Sequence, residues 1–158
     1  MTEVLFKAGP GVSKEWVRRV VEGTLRAEKT KGQISVLITD NLSIRKINKR
    51  FLKHDYATDV ISFDLAGVGG GVTPGARLKP GTWSNASDAP TRVGDIVVSA
   101  ERARRSAKEL KIPYKQELAR YLVHGTLHLL GYDDRKKKDH ACMHDRQERI
   151  IASFEEIG

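Results

Sequence analysis

Two histidines, His124 and His128, stand four residues apart in the leucine-rich run HGTLHLLGYDD that fills residues 124–134. On a helix this spacing puts both imidazoles on one face, within reach of a common point. Gly131 follows seven residues after the first histidine, where a left-handed conformation would turn the chain out of the helix. Asp134, ten residues after the first, then has a route back to the same point. Two imidazoles and a carboxylate are ligands that zinc accepts, and three protein ligands leave it one position for water. A metal held in this way lowers the pKa of that water and polarises its target. Asp133 competes with Asp134 for the third place, because spacing does not rank adjacent acids. His140 and His144, also four apart, are further reserves. The plain alternatives are a packed core helix for the first pair and a solvated helix face for the second.

The arrangement has the spacing of the long zincin motif HExxHxxGxxH, with aspartate in the last place. Where that motif carries a general-base glutamate, this chain has Gly125. Glycine has no group that can take a proton, so a zincin-type peptidase mechanism is not expected.

The elements that must position these residues follow from the hydrophobic pattern. EVLFK (3–7) reads as a strand, and Ser13 as the N-cap of a helix burying Trp16, Val17, Val20, Val21 and Leu25 and failing near Gly32. QISVLIT (33–39) alternates Ile34, Val36 and Ile38 inward as a strand. Asp40 can cap a second helix through NLSIRKINKRFL, expected to bury Leu42, Ile44, Ile47 and Phe51. DVISFDL (59–65) and RVGDIVVS (92–99) are the remaining strands, followed by helices over 101–111, about 114–130 after a break at Pro113, and about 139–155. The last should turn Met143, Ile150, Ile151 and Phe154 inward. The order β-α-β-α-β-β-α-α-α predicts a single α+β domain over 1–158: a small mixed four-stranded sheet surrounded by helices, one of them a zincin-like metal-binding helix. Residues 67–91, rich in Gly, Pro and Ser, are expected to form a flexible hairpin loop. Its GGG run lacks the lysine and the following helix of a phosphate-binding loop.

With 158 residues, 39% of them hydrophobic, the chain can build one core. A formal charge of +8 predicts a surface attractive to polyanions, most plausibly nucleic acid. RKKK at 135–138 and Arg102, Arg104, Arg105 and Lys108 flank the histidine stretch. Each group is by itself compatible with a solvated helix face. Aromatics make up only 6% of residues, which favours backbone and shape recognition over base stacking. Cys142 is the single cysteine, so no disulfide can form within the chain and a cytoplasmic setting is expected. The opening MTEVLFKAGPG has no signal-peptide pattern, and no window approaches the roughly 20 apolar residues of a membrane span.

HGTLHLLGYDD also resembles the HGxLHLxGYDH signature of the YbeY family, bacterial metal-dependent endoribonucleases linked to ribosomal RNA maturation. INKRFLKHDYATDVISF (47–63), VGDIVVSAERARRSAKEL (93–110) and the trio Met143, Gln147 and Glu148 resemble further blocks of that family in the same order. The resemblance implies one Zn²⁺ per chain on His124 and His128, with Asp134 in the third place; Asp133 or a substrate oxygen is a candidate proton shuttle. It implies a zinc-dependent, single-strand-directed endoribonuclease acting in rRNA maturation (16S rRNA 3′ end) and ribosome quality control. Expected partners are rRNA or ribosomal particles, with ribosomal proteins as further candidates and no membrane.

Two departures from the family pattern stand out. The third family ligand is histidine, where this chain has Asp134. A carboxylate leaves the metal less positive and should lower its water's pKa less. The family also carries an arginine four residues after the asparagine of the first block, but counting from Asn48 gives Leu52. Arg50, Lys53, His54 or Arg135 are candidate substitutes for phosphate binding, with Arg102, Arg105 and Lys136 as further RNA contacts. Asp59, Ser62, Asp95 and Ser99 are candidates to line the cleft or, more simply, to form strand-end hydrogen bonds. Leu52 and Gly125 keep a second reading open, a non-catalytic ribosome assembly factor with a structural zinc.

Overall fold

The computed structural model describes residues 2–7, 9, 11–52, 60–64, 92–132 and 137–154. The loop expected at 67–91 lies outside them.

The described elements run β1 (Glu3–Phe6), α1 (Lys14–Ala27), β2 (Gln33–Thr39), α2 (Asn41–Ile47), a π-helical turn (Asn48–Leu52), β3 (Val60–Asp64), β4 (Arg92–Ser99), α3 (Ala100–Leu110), α4 (Tyr114–Leu129) and α5 (Lys137–Ser153). The sheet order is β1-β2-β4-β3. β1, β2 and β4 run parallel, and β3 pairs antiparallel to β4 with Ser62 opposite Ile96. This is a small α+β fold with five α-helices around a mainly parallel sheet.

Local chemistry sets the element starts. Ser13 accepts the Trp16 N–H at 3.1 Å, and Asp40 accepts that of Ser43 at 2.7 Å. Because this backbone donor stabilises the charged form, the Asp40 carboxyl sits below its usual range. Period-two alternation sends Ile34, Val36, Ile38, Ile96 and Val98 to one face of the sheet, where they meet Val17, Val21, Leu118, Leu122 and Leu127 in the main core. The other face is covered more lightly, with Ile44 and Val97 buried and Leu37 and Ile47 beside them. α4 is the central helix, touching α1, α3, α5, β3 and β4.

Two expectations about the second helix are corrected. Leu42, expected inside, is 63% exposed. Positions 42 and 44 lie about 200° apart on a helix, so one face cannot bury both, and Ile44 takes the interior. The α-helix also stops at Ile47 and widens into a π-helical turn that keeps Asn48 buried. The first helix ends at Ala27, earlier than Gly32, with Lys29 in a left-handed conformation.

Candidate metal centre

From Tyr121 to Leu130 every residue of α4 and its C-cap is buried except His124 and His128, which are half-buried. Along this stretch the two imidazoles are the side chains that reach the surface. Their rings stand edge to face, with centroids 4.5 Å apart and planes at 79°, and their Nε2 atoms are 3.0 Å apart.

The outer nitrogens decide what that approach means. His128 Nδ1 lies 3.2 Å from the Tyr132 carbonyl, which can only accept, so the proton of a neutral His128 sits on Nδ1. His124 Nδ1 lies 2.9 Å from Gln147 Oε1, an acceptor that favours the Nδ1–H tautomer here too. With both protons on Nδ1, the two Nε2 atoms offer lone pairs toward a shared point, the arrangement that a bound cation uses. Zinc–imidazole bonds of about 2.0–2.1 Å in a tetrahedral site put two ligand nitrogens about 3.3 Å apart, close to what this pair offers. Outer N–H groups bonded to a carbonyl or an amide oxygen are also the usual support of metal-binding histidines. The donor set fits a borderline divalent metal. Among the described residues, no group of three His, Cys, Asp or Glu converges to hold a metal.

Gly125 is explained by packing. A Cβ there would meet the Ile96 and Val60 Cγ2 methyls, each at 3.0 Å, and Ser62 Oγ at 3.3 Å. The position faces the sheet, so a side chain would enter the core and not the space beside the imidazoles. Ser62 donates to the Gly125 carbonyl at 3.0 Å, tying β3 to this close approach.

Beyond Leu129 the helix ends in a Schellman motif. The Gly131 N–H donates to the His128 carbonyl and the Tyr132 N–H to the Leu127 carbonyl, both at 3.1 Å, with Gly131 at φ 101°. The Tyr132 hydroxyl then donates to Glu28 Oε2 at 2.9 Å. Burial, followed by the Glu28 carboxylate, pushes that hydroxyl up to about 12. Arg146 on α5 pairs with the same carboxylate and donates to the Ala27 carbonyl at 2.9 Å.

A second network lies one residue along α5 from Gln147. Arg120 on α4 bridges Glu148 at 2.8 Å and the buried Glu117 at 3.0 Å, while Ser106 donates to Glu117. Burial alone would lower the Arg120 guanidinium, and the two carboxylates more than offset it.

The remaining sequence candidates divide as follows. Asp133, Asp134, Arg135, Lys136, Lys53, His54 and Asp59 lie outside the described residues. Arg50 is exposed on the π-helical turn that ends at Leu52, and Arg102 and Arg105 are exposed on α3, the latter 3.4 Å from Glu109. His140 and His144 are exposed on α5 with stacked rings, centroids 6.4 Å apart. Ser99, at the end of β4, caps α3 and donates to Asn41 at 2.6 Å, and Ser62, in the middle of β3, donates to the Gly125 carbonyl. Sequence reasoning gave no role to Gln147, the Tyr132 carbonyl or Glu28. Gln147 and Glu148 did carry a signal, as part of the family-like tail.

The chain is thus a small α+β domain whose central helix offers two imidazoles. The particular family is shown by comparison: the chain belongs to the YbeY endoribonuclease family, whose model matches residues 10–155. It is 35% identical over 162 residues to "Endoribonuclease YbeY" of Porphyromonas gingivalis, covering 99% of this chain and 93% of that one. It is 34% identical to the Bacillus cereus protein of the same name, covering 87% and 84%. Among solved structures, a Thermotoga maritima protein determined in solution shares the fold, with a TM-score of 0.61 at 21% identity, covering 96% of this chain and 87% of that one.

Proposed function

We propose that the protein is a zinc-dependent endoribonuclease directed at single-stranded segments of ribosomal RNA, acting in the cytoplasm in maturation of the 16S rRNA 3′ end and in ribosome quality control. One Zn²⁺ per chain is held by Nε2 of His124 and His128, with Asp134 as third ligand. The observation that carries this reading is the pairing of both Nδ1 atoms with oxygen acceptors, which turns the two Nε2 atoms, 3.0 Å apart, toward one point. Family membership and the relatives' printed name support RNA as substrate. A bound zinc ion supplies Lewis acidity toward a phosphodiester and a nucleophile at neutral pH.

The chain's own residues do the rest. Gln147 and the Tyr132 carbonyl hold protons at Nδ1, fixing the tautomer that presents Nε2. Gly125 lets α4 lie against β3 and β4, which sets the height of the imidazoles above the sheet. Asp133 is the candidate to move a proton, and Arg50, Arg102, Arg105, Arg135 and Lys136, with Lys53 and His54, attract the phosphate backbone. Among the described residues no helix is long and apolar enough to cross a membrane.

The test is cleavage of structured rRNA by purified protein with and without a chelator, beside His124→Ala. Cleavage lost on chelation, restored by zinc and absent from the variant is the expected result. Cleavage that survives both treatments contradicts it. Leu52, where the resemblance called for arginine, favours a second reading as an assembly factor with a structural zinc. Salt-sensitive rRNA binding without cleavage would establish that reading instead.

A further inference from the structure

His128 Nδ1 has a backbone acceptor at 3.2 Å. It is the carbonyl of Tyr132, a residue beyond the helix end and just past Gly131. Glycine at φ 101° gives the backbone more freedom than any other residue, so the carbonyl's position depends on what anchors Tyr132. Two anchors exist. The Tyr132 N–H is tied to Leu127, and the Tyr132 hydroxyl is tied across the fold to Glu28, 104 residues earlier at the C-cap of α1. Glu28 is itself clamped by Arg146 from α5, and its side chain is only 12% exposed. Apolar residues would pack this corner as well or better than a largely enclosed carboxylate, arginine and phenol. The polar trio adds direction: it ties Tyr132, at the end of the turn that follows His128, to α1 and α5.

We propose that Glu28, acting through the Tyr132 hydroxyl, is a positioning residue for the metal site. It holds the Tyr132 carbonyl against His128 Nδ1 and thereby the ring orientation that points Nε2 at the metal. The proposal rests on the metal-binding reading above, and its failure can be told from the failure of that reading.

The experiment titrates the metal-free full-length protein with Co²⁺, whose visible absorption reports ligand geometry in a zinc site. Tyr132→Phe keeps the ring and removes only the hydroxyl, whereas Glu28→Ala removes the acceptor. Both should weaken cobalt binding by about 10-fold, the lower end for an outer hydrogen-bond partner, and shift the visible bands. Glu28→Gln keeps an oxygen for the phenol and should bind more tightly than Glu28→Ala. Melting temperatures report the structural cost separately. If both Tyr132→Phe and Glu28→Ala melt lower but bind cobalt with unchanged affinity and spectrum, Glu28 is structural only and the proposal is overturned. A folded wild-type protein that binds no cobalt overturns both this proposal and the functional reading.

Discussion

The molecule carries two histidine pairs with the same spacing on adjacent helices, His124/His128 on α4 and His140/His144 on α5. On α4 the rings stand perpendicular with centroids 4.5 Å apart, half-buried, each outer nitrogen facing an oxygen acceptor. On α5 the rings lie nearly parallel at 17° with centroids 6.4 Å apart, and both residues are exposed. Helical spacing gives proximity in both cases. What separates the pairs is the surrounding structure, which on α4 selects a tautomer and aims a nitrogen. A four-residue repeat of histidine is therefore only the first half of a metal site, and the second half is the set of groups that hold the far side of each ring.

The largest effect should come from removing a ring. His124→Ala is expected to abolish both stoichiometric zinc and RNA cleavage, whereas the double variant His140→Ala/His144→Ala keeps both near wild type. Metal analysis of the purified proteins and a cleavage assay check this, and equal losses in the two variants would remove the distinction between the pairs. Gln147→Leu makes the α4 pair more like the α5 pair by deleting the acceptor of His124. Zinc affinity should fall about 10- to 100-fold, read by competition with a chromophoric chelator.

Gly125→Ala probes the close approach that sets the first pair against the sheet. Crowding of the stiff Ile96 and Val60 methyls should cost about 1–3 kcal/mol, against about 1 kcal/mol gained in helix propensity. A net loss of stability in urea is expected, and a gain would show that β3 and β4 yield easily.

The smallest effect lies in pH. Tyr132 ionises near 10.0 when unfolded and near about 12 in the folded protein. Between these values the unfolded chain releases a proton that the folded one keeps, so the contribution is complete below the lower value and is lost as pH rises toward the upper. Tyr132→Phe should flatten this part of the stability profile, measured by urea unfolding between about pH 9 and 11.

What could be read from the sequence was what depends on near neighbours. Ser13 and Asp40 cap their helices through residues three positions on, and Gly131 leaves the helix where its lack of a Cβ permits. The small α+β fold follows from apolar periodicity, as Val17, Val21, Ile34, Val36 and Ile38 lie inside. The histidine pair was legible for the same reason. The support of that pair was not, because it is made of contacts across long chain separations: Gln147 to His124 over 23 residues and Glu28 to Tyr132 over 104. Neither polar residue differs in type or local pattern from a solvated one. Leu42 misled for a related reason, since hydrophobicity was counted without its angle on the helix. The π-helical turn begins at the buried Asn48, and no composition signal marks it.

The most direct test of the central claim is the tautomer and ligation state of the two α4 imidazoles. Long-range proton–nitrogen NMR on uniformly labelled protein assigns Nδ1 and Nε2 of each histidine with and without one equivalent of zinc. The account predicts that His124 and His128 carry their proton on Nδ1 and that zinc shifts their Nε2 resonances together, while His140 and His144 are unmoved. Protons found on Nε2 of His124 and His128, unchanged by zinc, would contradict it.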